Sequence, residues 1–301
     1  MNRIHRSRPL ANLALNMGNA SRQWPLFQSL MLLLCAGSAG GGAEPGREDW
    51  QPYFQSVAKS YRITPDAHPD QPFELLQEPI LRWSQPVRGG DDGAVFLWLD
   101  GGVPAAMGTV FCWPHRDGYR VVVNEFHSLS EQPLLAERNG SRPWKPRQAG
   151  IAWKAFQEAP VPADSAPRRL LQMRQLVGRF RGENVDDQGN GDRWGLRLMP
   201  SPLYRFDLSS RNASSVQPVV DGALFALASG TDPEIFILIA ARRTETGPQW
   251  QWALARFSDR PLMAWLDEQE VLSLPRAVPN VEHVHTYFDI DQLEAPPMDA
   301  E

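Results

Sequence analysis

Residues 220–235 read VDGALFALASGTDPEI and residues 92–106 read DGAVFLWLDGGVPAA, so two stretches 129 positions apart say nearly the same thing. Their flanks match in the same order. LRWSQPVR (81–88) precedes one and LRLMPSPLYR (196–205) the other, and Pro104 and Pro233 keep the spacing of 129. SEQPLLA (130–136) answers SDRPLMA (258–264) at an offset of 128. Upstream, Phe54, Val57 and Tyr61 map onto Met173, Leu176 and Phe180, each trio with the three- and four-residue spacing of an apolar helix face. This pattern is the signature of an internal duplication, with units at 47–160 and 166–290.

Each unit reads as a helix followed by strands. The first helix has Asp49 as its cap, and the second has Ser165 with Pro167 just inside. After a polar loop come strand-length runs, in the second unit LRLM, LYRF, GALFALA, EIFILIAA and QWQWALARF, with GTDP and ETGP as turns. Short connections predict antiparallel neighbours. The expected class is therefore α+β: two duplicated units, each an N-terminal helix on an antiparallel meander sheet. The continuous run IFILIA calls for burial on both faces, which predicts that the units pack on each other with pseudo-twofold symmetry. Whether they make one sheet or two domains is open at this level. Residues 291–301 read as a flexible tail.

The N-terminus reads as an address. Arg22 precedes an apolar run over 26–35, and small residues follow to Ala43, the order of a secretory signal occupying 1–43. Met17 would begin a signal of ordinary length, which makes it a second candidate start. The apolar run is short of the roughly 20 residues that span a bilayer, so an uncleaved anchor, or lipid on Cys35, is the alternative to release into the periplasm or medium. No other segment has the length of a membrane span. After such a cut Cys112 is the one remaining cysteine, in the apolar run GTVFCW, where a buried thiol is expected and no internal disulfide can form.

The charge is −5; the four arginines of residues 1–43 leave 26 basic against 35 acidic residues in the remainder. That sign repels phosphate backbones and argues against nucleic acid as a partner. The candidate chemistry is sparse. Glu125 and His127, two apart in VVVNEFHSLS, share one face of a predicted strand and have the make-up of a proton-transfer pair, or of a polar pair at a sheet rim. Their counterparts are Ala253 and Ala255. His283 and His285 in VEHVHTYF share a face if extended and could ligate zinc or copper, but too few further ligands lie at useful spacing. Asp92 and Asp221 read as tight Asp-Gly turns into strands, and the tryptophans as core or inter-unit anchors. There is no G-x-S-x-G elbow, phosphate-cradling glycine loop or H-E-x-x-H, and no cofactor is predicted.

Taken in order, LRWSQPVR, DGAVFLWL, NEFHSLS, LLQMRQL, LRLMPSPLYRF, DGALFALASGTDPEIFILIAARR and WQWALARFS resemble a family of uncharacterised proteins abundant in planctomycete bacteria. That resemblance implies a lineage but supplies no activity and no catalytic residues. The expectation is an exported, non-enzymatic protein that binds an unknown protein or small ligand. The competing reading is a hydrolase using Glu125 and His127 in a cleft between the units.

Overall fold

In the computed structural model, residues 49–85, 91–187, 189–208 and 219–295 are described. The signal segment, Met17 and Cys35 lie outside them, as do residues 296–301. Residues 46–301 form one compact unit.

Two large antiparallel sheets make its centre. The first is a meander of β3 (Leu81–Gln85), β4 (Asp91–Asp100), β5 (Val103–Pro114) and β6 (Arg120–Ser128). The second repeats that order with β12 (Arg197–Asp207), β13 (Val219–Ser229), β14 (Asp232–Thr244) and β15 (Gly247–Arg256). Along β4 the side chains alternate between two cores, as the pleat requires. Ala94, Phe96 and Trp98 face outward, while Val95, Leu97 and Leu99 face the second sheet. β14 does the same, with Ile235, Ile237 and Ile239 outward and Phe236 and Leu238 inward. The run IFILIA is thus covered on both faces, by the sister sheet and by an outer layer.

Each outer layer is a short helix beside a small sheet. α1 (Gln51–Lys59) lies with β1 (Tyr61–Pro65), β7 (Leu134–Arg138) and β8 (Ser141–Trp144) over the first sheet. α2 (Ala166–Val177) lies with β10 (Phe180–Val185), β16 (Leu262–Leu266) and β17 (Gln269–Leu274) over the second. The N-cap of α1 is Trp50 and not Asp49, whose carboxylate, one residue earlier, accepts the Gln51 N–H at 3.0 Å. Ser165 makes no such bond. Tyr61 and Phe180, read as the third members of helix faces, instead open the strands β1 and β10.

The expected α+β class is overturned. Among the described residues strand makes up 55 % and helix 9 %, in two helices, so the fold is mainly β with several antiparallel sheets. Nor are the sheets simple helix-led meanders. β7 leaves the first large sheet to pair with β1, and β16 does likewise with β10. The large sheets also exchange edges. β9 (Lys154–Ala155), from the end of the first half, pairs with β15, and β18 (His285–Leu293), from the end of the chain, pairs with β6. β18 also removes residues 291–293 from the expected tail, and Asp291 accepts a hydrogen bond from the Tyr53 hydroxyl. Local periodicity carries no information on which distant strand covers an edge, and this is why the reading failed there.

The Asp-Gly pairs are not turns. Both lie inside strands, and their glycines make room for a cross-strand ring. Gly93 pairs with Trp83 and Gly222 with Phe206. A Cβ on Gly222 would stand 2.3 Å from the Phe206 ring, and one on Gly93 2.4 Å from Trp83. Gly222→Ala is therefore expected to lower stability by about 1–3 kcal/mol through overpacking. Gly195→Ala, where a Cβ meets nothing within 4 Å, should shift the urea midpoint little; equal shifts would show that the ring contact is not the cause.

Candidate ligand cleft

The inner face of the first sheet changes character toward β6 and β18. Residues in register across it form rows: Leu97, Met107, His127, His285, and next to it Val95, Thr109, Glu125, Tyr287. The β4 and β5 ends of these rows are covered by the second sheet and are mostly apolar. The β6 and β18 ends reach the margin of the sandwich and carry polar groups. β15 packs against β6, and there Ala253 and Ala255 leave room for the larger Glu125 and His127.

Glu125 and His127 share a face, as the spacing predicts, but they are not each other's partners. His285 Nε2 and Glu125 Oε1 share a hydrogen bond at 2.6 Å. His127 Nε2 donates to the Gly150 carbonyl at 3.2 Å, and the two imidazoles stand 6.0 Å apart, centre to centre. Burial, reinforced by the nearby Asp259 charge, pushes the Glu125 carboxyl up to about 8. Burial also depresses His127, helped by His285, and His285, helped by Arg256, each to about 3. The Glu125–His285 pair is thus net neutral across most of the pH range, wherever its protons sit. Arg256 is buried and donates to three carbonyls, of Ser258, Pro275 and Arg260, at 2.7–3.1 Å.

The histidine pair expected as metal ligands is separated. His285 opens β18 and is buried, whereas His283 lies in the preceding turn, exposed, with its ring against Asn280. Alternation needs extended backbone, and the strand begins two residues too late. Among the described residues no group of three or more His, Cys, Asp or Glu is placed to hold a metal ion. Cys112 is buried, its thiol pushed up to about 11 by desolvation.

Glu125 faces a cleft of about 310 Å³ where the halves meet. Trp83, Phe111, Trp113, Phe257 and Tyr287 form aromatic walls, and Asp232, Glu234, Asp259 and Asp289 add carboxylates, with Arg260 the one cation of the lining among the described residues. Glu234 is 2 % exposed. It occupies the extra position of a β-bulge between the pairs Leu227–Ile235 and Ala228–Pro233, a device that re-aims a side chain. Hydrogen bonds from Ser258 and Asn184 hold it, and burial raises its pKa.

The first half has the same bulge, with Ala105 at the position of Glu234 and Val103 at that of Asp232. The corresponding place there is packed shut. Val103, Trp153 and Tyr204 close over Phe206 and Ala240, while Arg242 pairs with Glu131 at 2.7 Å and lies on the Trp153 ring. Sequence reasoning missed Glu234, Asp259 and Tyr287. The available signal was the acid-for-apolar exchange between copies at 103/232, where the GTDP run read as a turn, and at 105/234, which drew no reading. Behind the Glu125–His285 pair a second hollow, of about 750 Å³, is lined by His127, Arg147, Arg256 and Arg276.

A scan against protein-family models, a search of curated proteins and a search of solved structures each found no match.

Proposed function

We propose that this is an exported, non-catalytic binding protein that seats a small ligand in the cleft between its two halves. One observation carries the reading: of the two corresponding places in the sandwich, one carries Val103, Trp153 and Tyr204 with the Arg242–Glu131 pair, and the other is a cleft, aromatic-walled and lined with carboxylates from both halves. A packing role alone gives no reason for that difference. The repeated pairing order supports an origin of the halves, 47–160 and 166–290, by duplication. Export and kinship with the planctomycete family belong to the same proposal. Mass spectrometry of the secreted chain should find an N-terminus near Glu44 and no lipid on Cys35.

The test is a fragment screen on the purified protein, read by thermal shift and tryptophan fluorescence. A true ligand at 100 times its Kd stabilises the fold by about 2.7 kcal/mol, and Trp113→Ala should remove the effect. Fragments whose shift survives that substitution count against the cleft.

A second reading, a hydrolase, is favoured by Glu125 itself, a carboxyl held protonated at neutral pH in a cleft wall and so equipped to donate a proton. It predicts turnover of chromogenic glycosides or esters with a rate that falls at least 100-fold in Glu125→Gln. Absence of turnover across such a panel leaves the binding reading.

A further inference from the structure

We infer that the cleft takes a compact organic cation, an ammonium or guanidinium on an apolar body, with Glu125 and Glu234 as counter-ions and Trp113 and Tyr287 as walls. This rests on the cleft being a binding site. Three observations lead to it. First, the protein leaves these carboxyls short of cations. Glu125, 8 % exposed, gives one oxygen to His285, and the other has no protein donor among the described residues and faces the cleft. Glu234 accepts hydrogen bonds from the neutral side chains of Ser258 and Asn184, and Arg260 favours its ionised form from a distance, with no ion pair between them among the described residues. Asp259, by contrast, has its charge met by Arg276 at 2.6 Å. Arg256 lies near enough to favour ionised Glu125 in part, but its guanidinium is turned to three carbonyls and forms no ion pair with that carboxylate among the described residues.

Second, Glu125 raises Glu234 electrostatically. Two carboxyls that disfavour each other's ionisation are both relieved by one cation in the space they face. Third, the remaining walls are aromatic, and ring faces attract ammonium and guanidinium groups while accommodating an apolar body. A carboxylate or phosphate ligand would meet carboxylates on several sides. A neutral polyol would leave the charge shortfall as it is.

The class has a thermodynamic mark. Ionised Glu125 is favoured by the cation, so binding below pH 8 must expel a proton, and affinity must rise with pH toward about 8. The groups that face Glu125 are His285 and Tyr287 from β18, Arg256 and Asp259 at the end of β15, and Glu234 from β14.

The purified protein is titrated calorimetrically with phenethylammonium, its neutral analogue 2-phenylethanol and the anion phenylacetate, at pH 6.5 and 8, in phosphate and in Tris. Expected are binding of the ammonium at least tenfold tighter than the alcohol, no binding of phenylacetate, and a several-fold gain in affinity at pH 8. At pH 6.5 the heat should differ between buffers by the release of up to one proton. Glu125→Gln and Glu234→Gln, each checked for an unchanged circular dichroism spectrum, should each weaken the ammonium at least tenfold, and Glu125→Gln should lower the proton release. If the alcohol binds as tightly as the ammonium and Trp113→Ala removes both, the cleft stands as a site and the cation assignment falls. If none of the three binds, both are overturned. Ammonium binding that neither glutamine variant weakens also overturns the assignment.

Discussion

Asp221→Ala is expected to cost about 3–5 kcal/mol, enough to consume a large part of the 5–15 kcal/mol that a domain of this kind has. Asp221 is fully buried in β13 and receives the Arg169 Nε–H at 2.7 Å and an Arg205 amino group at 2.8 Å. Arg169, itself 4 % exposed, projects from α2, which the ion pair ties to the second sheet. Removing the carboxylate leaves the buried Arg169 guanidinium with two carbonyls and the longer contact to Asp207 at 3.5 Å, and that poorly compensated charge is the source of the loss. The exposed pair Arg147–Glu282, both partners more than half exposed, supplies the contrast: Glu282→Ala should cost under about 1 kcal/mol. Urea unfolding of both variants checks this. Similar midpoints would mean that the Arg169–Asp221–Arg205 cluster does not hold α2 as described.

The second large effect is a loss of stability as pH rises from 6.5 to 8. Unfolded glutamate loses its proton near 4.5, whereas Glu125 keeps its proton until about 8. The folded chain therefore holds the extra proton between those values, and each unit of rising pH in that window removes about 1.4 kcal/mol. Glu234, also raised by burial, adds to this alkaline loss. The histidines act in the opposite direction. Unfolded imidazoles gain a proton near 6.5, but His127 and His285 resist it down to about 3. Each then removes about 1.4 kcal/mol per unit as pH falls below 6.5, while Glu125 and Glu234 gain over the same range and offset them. Stability should drop by about 2 kcal/mol on going from pH 6.5 to 8 and change by less than that on going down to pH 5. Urea midpoints across pH 4.5–8.5 measure it. Glu125→Gln should flatten the alkaline side and steepen the acid side, where its gain no longer offsets the histidines; stability that climbs steadily from pH 6.5 to 8 would contradict the burial of this carboxyl.

The two effects differ in how visible they were. Asp221 stood in the opening stretch, but as a supposed turn residue. Its role depends on Arg169, 52 positions earlier, and on a glycine that admits the Phe206 ring, and neither contact has a local signature. Glu125 and His127 were legible as a same-face pair, because a period of two is a property of any strand. Their partners were not. His285 arrives on a strand 160 residues away, and Glu234 is turned inward by a bulge whose register only the pairing reveals.

By itself the sequence determined where the long strands run and that IFILIA is covered on both sides, because apolar periodicity and Gly-Pro punctuation act over a few residues. It also determined that the halves differ in polarity at 125/253 and 127/255. Only the tertiary structure decided that helix is a minor covering on a mainly β fold, that β9 and β18 cross to complete each other's sheets, and that Glu125, Asp232 and Glu234 converge on one open cleft. Those outcomes depend on which distant surfaces bury one another. A chain's local pattern states how much apolar area must be covered, and leaves the choice of cover to the packing of the whole.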